Sequence, residues 1–272
     1  MTFSLKDDRL KPIFKSILFC IVFVGILILV SQFKNLIPQK FERFTYGIMG
    51  TAVAFFTTWL FLRFDKKSFA DIGLKWESKT IKRFFTGLLV GLIISATMIL
   101  TLVAFTNLEL EISGDYNLLT FFIWTLALIP LAFMEELAFR AYPFIHLQKA
   151  AGIWFAQIII AILFALYHFV GGQSLLSSFI GPGVWSFVFG LAMIMSGGIS
   201  LPTGLHYGAN LVLAAVGQHK QFESIWEIRY EKGTNPETMN LEFAGNLIQI
   251  ILFVATIAMM EWWLRKKNKP II

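Results

Sequence analysis

Three short stretches of the chain hold residue types that can do chemistry. They are Met134-Glu135-Glu136-Leu137-Ala138-Phe139-Arg140, Phe164-Ala165-Leu166-Tyr167-His168 and His206-Tyr207-Gly208-Ala209-Asn210. In the first, two adjacent carboxylates point about 100° apart on a helix. Glu136 and Arg140 are four apart and can pair on one face. Glu135 has no basic residue three or four positions further on, so it stays available as a general base. The same residues also fit a buried ion-pair network or a cluster at a membrane edge. His168 closes a long apolar run just before Gly171 and Gly172, where an interfacial hydrogen-bonder is the plain alternative to a catalytic group. His206 and Asn210 share one helical face. Gly204 and Gly208 thin the same helix, as close GxxxG-type packing would require. One shared, water-filled cavity accounts for Glu135, His168, His206 and Asn210 more simply than four separate burials.

These residues must be positioned by membrane helices. Of 272 residues, 57% are hydrophobic and 15% charged, against about 45–50% and about 25% in soluble domains. That composition excludes a soluble globule, a disordered chain and a fibrous repeat. It implies an all-α polytopic membrane helical bundle of about eight transmembrane helices, each needing about 20 residues. The apolar runs cover roughly 13–33, 44–62, 84–106, 118–140, 152–170, 184–200, 202–217 and 243–264. Residues 1–117 then hold the first helices and a cytoplasmic interfacial segment, 118–217 the three polar stretches, and 218–272 a polar loop and the last helix. By these boundaries Glu135 and His168 differ in depth by about 10 Å, so the 141–152 stretch is expected to lie partly along the membrane surface.

Net charge is +6, and the basic residues flank apolar runs, which topology explains. The connection between the second and third runs holds Arg63, Lys66, Lys67, Lys75, Lys79, Lys82 and Arg83, whereas the next holds Glu109, Glu111 and Asp115. The positive-inside rule places the first connection and both termini in the cytoplasm, with Arg140 and Lys149 on that side, in a bacterial cytoplasmic membrane. Phe69, Ile72, Leu74 and Trp76 are expected along the cytoplasmic interface. Nucleic acid is excluded as a partner, because no Lys/Arg cluster lies on a polar domain able to host it. The single cysteine, Cys20, permits no disulfide framework and reads as a packing or lipid-facing residue. His146 and His219 read as solvated surface residues, and Glu261 as a partner of Arg265.

Glu-Glu-x-x-x-Arg at Glu135–Arg140, Phe-x-x-x-His at Phe164–His168 and His-x-x-x-Asn at His206–Asn210 occur in that order on successive hydrophobic segments. In this the chain resembles the intramembrane proteases of the CAAX-processing and bacteriocin-processing group (CPBP, or Abi), which includes type II CAAX prenyl endopeptidases and lysostaphin-resistance-protein-A-like proteins. The resemblance covers roughly residues 118–215. It implies an intramembrane endopeptidase acting on a membrane-associated or CAAX-like protein or peptide substrate within the lipid bilayer. Carried over residue by residue, Glu135 is the catalytic carboxylate, with Glu136 and Arg140 as its supporting pair. His168 matches the second-motif histidine, and His206 with Asn210 the third-motif pair. The implied chemistry is a glutamate-activated water with a His/Asn oxyanion site and no cofactor. The group is also described as metal-dependent; zinc would then fall to His168, His206 and Glu136, although the chain has no His-Glu-x-x-His. Two other classes compete: an ion-coupled transporter, since intramembrane Glu and His also form ion pathways, and a non-catalytic scaffold or immunity protein.

Overall fold

The apolar runs fold as helices because only a helix satisfies its own backbone inside one lipid-exposed segment. The computed structural model describes residues 7–114, 116–219, 223–231 and 241–267. Helices α1 (Asp7–Ser31), α2 (Glu42–Asp65) and α3 (Thr80–Ala104) lead into strand β1 (Leu108–Ile112). Helices α4 (Leu118–Thr125), α5 (Leu128–Glu136) and α6 (Tyr142–Ala151) form one interrupted run, and α7 (Ile153–Val170) returns along it. The short α8 (Leu175–Ser178) precedes α9 (Val184–Ser196), α10 (Ser200–Ala215), strand β2 (Trp226–Tyr230) and α11 (Leu241–Lys267). Among the described residues seven helical stretches are long and apolar enough to cross a bilayer, with 118–151 taken as one. The 16-residue α10 is the eighth helix of the bundle.

Burial sorts these helices into centre and periphery. Only 17% of the most apolar stretch of α3 and 11% of that of α11 is buried, against 56% of that within Leu175–Ser196. Side chains such as Leu89, Ile93, Ile251 and Val254 stand exposed on the two outer helices, where lipid covers them. The centre is aromatic: Phe19 stacks on Tyr142 with ring centroids 5.1 Å apart, and Phe139 meets Phe164 edge-on at 5.1 Å. Cys20 is buried beside them as a packing residue.

Helices α3 and α10 approach most closely through glycine. A Cβ on Gly204 or Gly208 would run into the carbonyl oxygens of Phe84 or Leu88, and one on Gly87 or Gly91 into those of Leu201 or Leu205. Each helix thus offers small residues four apart to the other. His206 and Asn210 sit two positions beyond Gly204 and Gly208, about 200° around the helix. The face that clamps α10 onto α3 therefore leaves the His–Asn face turned towards the bundle interior.

The structure corrects several expectations. The helix expected to end at 140 continues to Ala151, and the stretch after Arg140 is interior: Tyr142, Phe144 and Leu147 are fully buried. The chain stays helical through one wide π-type turn, Leu137–Ala141. It reverses instead at Gly152, whose φ of +91° suits glycine alone. Glu135 precedes this reversal by 17 residues and His168 follows it by 16, so the two meet at one depth. His146 is buried, not solvated; it stacks on Tyr142 at 4.0 Å and lies 2.9 Å from Lys67 Nζ. Arg140 is buried completely and is not a flanking charge. In the 63–83 segment Ile72 packs into the bundle while Trp76 stays exposed, so only part of that segment can lie along an interface. A two-stranded antiparallel ribbon was not anticipated: Leu108 faces Tyr230 and Ile112 faces Trp226, with Arg229 paired to Glu111 at 2.7 Å.

Gly204→Val should force α10 off α3. Overpacking costs at least about 1–3 kcal/mol, so the thermal midpoint of the detergent-purified protein should fall clearly. Gly25→Ala, where no atom comes within 4 Å of the added carbon, should leave that midpoint unchanged or slightly raised.

Candidate active site

The last turn of α5 sends its two carboxylates to different neighbours. Glu136 has no exposed surface; its Oε1 lies 2.9 Å from His206 Nδ1 and its Oε2 lies 3.4 Å from Arg140 Nε. A carboxylate only accepts, so Nδ1 of His206 carries the proton it donates. Arg140, in the wide turn, also donates from Nη2 to Ser186 Oγ at 2.9 Å. Its guanidinium lies 4.2 Å from the centre of the Phe164 ring and 5.3 Å from that of Phe189. Phe189 in turn stacks on His206, with centroids 4.4 Å apart and planes 16° from parallel. One buried ion pair therefore ties α5, α7, α9 and α10 together around His206.

Glu135 is held differently. Tyr167 Oη donates to Glu135 Oε1 at 3.4 Å. Oε2 faces His206 Nε2 at 3.7 Å and His168 Nε2 at 4.0 Å. These gaps exceed a direct hydrogen bond and match what a bridging water spans. His168 is oriented by its own helix, since Nδ1 donates to Phe164 O at 2.9 Å, which turns Nε2 to Glu135. Both imidazoles thus have Nδ1 engaged and Nε2 directed at one carboxylate oxygen.

These three side chains and Asn210 line one cavity of about 770 Å³, within the range of small-molecule and peptide-sized sites. Val24, Leu27 and Leu131 make its wall apolar, while Glu42, Arg43 and Gln173 bring polar groups to it. His219, expected at the solvated surface, lines the same cavity. Burial pushes its imidazole down to about 4, with Arg43 and His206 adding in the same direction. The structure brings Glu135, His168 and His206 within one contact sphere, places Asn210 on their cavity, and sets Glu136 and Arg140 behind them.

Of the two carboxylates, Glu135 and not Glu136 is the one that His168 Nε2 and His206 Nε2 both face. Glu136 meets His206 at Nδ1, on the side of the ring away from His168. Among the described residues no three His, Cys, Asp or Glu side chains form a metal-holding group.

Four contributors were not picked out from the sequence. Tyr167 reaches Glu135 and is bonded to Tyr46. Ser186 holds Arg140, and Arg43 lines the cavity from the first turn of α2. Tyr167 stood inside a quoted stretch, and Ser186 is a lone hydroxyl in an apolar run; neither carries a spacing signal.

Residues 117–212 match the family described as type II CAAX prenyl endopeptidase Rce1-like. Over this segment the chain is similar to the CAAX protease (CPBP) family. A comparison with curated proteins finds no match. The Rce1-like segment runs from just before α4 to within α10 and so contains all three polar stretches. This match supports intramembrane endopeptidase activity in general, and the apolar helices make the chain an integral membrane protein.

Removing Arg140 takes the guanidinium from buried Glu136 and leaves it only the His206 contact; breaking a buried pair in this way costs about 3–5 kcal/mol. Arg140→Ala should therefore unfold in detergent at much lower temperature than wild type. Ser186→Ala, which leaves one guanidinium donor of Arg140 without its acceptor, should cost less, about 1.5–3 kcal/mol.

Proposed function

We propose that the protein is an intramembrane endopeptidase in which Glu135 activates water for attack on a peptide carbonyl. The observation that carries this reading is the convergence of His168 Nε2 and His206 Nε2 on Glu135 Oε2, while the adjacent Glu136 is already matched by Arg140 and His206. Of the two carboxylates, only Glu135 lines the cavity.

The reaction then runs with atoms and charge accounted for. A water bridges Glu135 Oε2 and His168 Nε2. Glu135 takes its proton as the water oxygen bonds to the carbonyl carbon. The developing oxyanion accepts hydrogen bonds from the Asn210 side-chain amide and from His206 Nε2, which requires His206 to carry protons on both ring nitrogens. Glu135 then returns the proton to the amide nitrogen as the C–N bond breaks. The apolar side chains of Val24, Leu27 and Leu131 on the cavity wall lower the local dielectric around these dipoles. No metal takes part in this sequence.

The substrate is a membrane-associated protein or peptide, CAAX-like termini being one class. This reading places the protein in a bacterial cytoplasmic membrane, and its basic flanks favour having both termini in the cytoplasm.

The test is an inventory of peptide termini from membranes and medium, comparing wild type with Glu135→Gln at equal protein level. A set of termini should vanish in the variant. Asn210→Ala should lower turnover about 10²–10³-fold, the usual loss for one oxyanion donor. An unchanged inventory, with Glu135→Gln still supporting the biological effect of wild type, would favour a scaffold instead. Stoichiometric zinc whose removal abolishes cleavage would contradict the metal-free mechanism.

A further inference from the structure

We infer that the cavity opens on the extracytoplasmic face and accepts an extended segment of an exported or membrane-anchored protein presented there. This rests on the peptidase reading above and names the substrate class for that same site.

The cavity occupies one half of the bundle. Its lining comes from the last two turns of α1, the first turns of α2, the last turns of α7, the first turns of α9, the second half of α10 and Gln249 near the start of α11, with Gln173 and His219 from the connections beyond. These belong to the end where 32–41, 171–174 and 216–219 join the helices, and Leu128, Leu131 and Glu135 of α5 complete the wall towards mid-depth. Among the described residues no lining residue comes from the opposite end.

That opposite end is closed and basic. Phe139, Tyr142, Phe144 and Leu147 have no exposure there. Lys15 pairs with Asp65, Tyr142 Oη donates to Asp65 Oδ2 at 2.6 Å, and Lys67 Nζ lies 2.9 Å from His146. The Lys/Arg-rich connection between α2 and α3 and the Arg265-Lys266-Lys267 end of α11 lie at this end. The cavity end instead carries the ribbon, where Glu109, Glu111 and Glu227 surround Arg229, and the connection from α1 to α2, where Lys40 and Arg43 stand beside Glu42. This asymmetry puts the closed end in the cytoplasm and the cavity mouth outside.

Depth agrees with entry from that side. His206 lies nine residues before the end of α10, about 14 Å below it at about 1.5 Å per residue. That is roughly half of a hydrocarbon core about 30 Å thick. A segment entering from outside would reach Glu135 near mid-membrane, its apolar side chains against Val24, Leu27 and Leu131. A CAAX-like terminus presented from the cytoplasm would meet the closed end.

Single cysteines test the side directly. In a Cys20→Ser background, Gln173→Cys, Ile112→Cys and Ser78→Cys each place a thiol at an exposed position. A membrane-impermeant maleimide is applied to intact spheroplasts of a bacterial host, then after permeabilisation. Gln173→Cys and Ile112→Cys should label in intact spheroplasts, and Ser78→Cys only after permeabilisation. Labelling of Ser78→Cys in intact spheroplasts, or of Gln173→Cys only after permeabilisation, overturns the inference. The Glu135-dependent termini should map to extracytoplasmic segments; termini on cytoplasmic segments overturn the substrate class. If no terminus depends on Glu135, the peptidase reading falls and the substrate with it, while the labelling still decides which face opens.

Discussion

A carboxylate with no route to water, Glu136, sets the constraint that the rest of the site obeys. A bare buried charge is prohibitively costly in the interior of a membrane bundle, so its partners cannot be optional. Arg140 meets it from the wide turn after α5, and His206 meets it from α10. Arg140 in turn needs Ser186 and the faces of Phe164 and Phe189. Satisfying one charge thus fixes four helices, the rotation of the His206 ring and the direction of its free nitrogen. That direction is towards Glu135, the neighbour that does not share the pairing.

Two backbone features make this convergence possible. The glycine faces of α3 and α10 let the backbones approach closely, which places the His206–Asn210 face firmly while leaving it clear of side chains from α3. The wide turn at Leu137–Ala141 keeps α5 and α6 in one run and moves the chain reversal out to Gly152. A π-type turn inside a helix commonly marks a functional site, and here it lets Arg140 lie under Phe164 rather than at a helix end. The burial pattern then separates roles: α9 and the 118–151 run form the centre, while α3 and α11 face lipid.

Much of this was legible because lipid makes polar residues conspicuous. Glu135, His168, His206 and Asn210 stand out inside apolar runs, and the i, i+4 spacings of Glu136–Arg140 and His206–Asn210 predict shared faces. The bundle of about eight helices was legible from run length alone. The end of the fourth helix was not, because an apolar run that continues through Tyr142-Pro143-Phe144 does not reveal where it bends. His146 was misplaced for the same reason: its burial depends on Asp65 and Lys67, some 80 residues earlier. The ribbon is two five-residue strands more than 100 residues apart, each too short for its alternation to stand out. Tyr167, Ser186 and Arg43 matter only through tertiary contacts, and His219 only through the cavity wall.

The central claim is a division of labour between two adjacent glutamates, one chemical and one structural. Its most direct test compares Glu135→Gln with Glu136→Gln in parallel purified preparations, reading thermal midpoint and turnover of a peptide drawn from the Glu135-dependent set. Glu135→Gln should keep most of the wild-type midpoint and turn over nothing, because the isosteric amide still accepts from Tyr167 whereas only the carboxylate can take the proton of water. Glu136→Gln should melt lower, because Arg140 loses its counter-charge. Wild-type turnover by Glu135→Gln, or a wild-type midpoint for Glu136→Gln, would contradict the assignment.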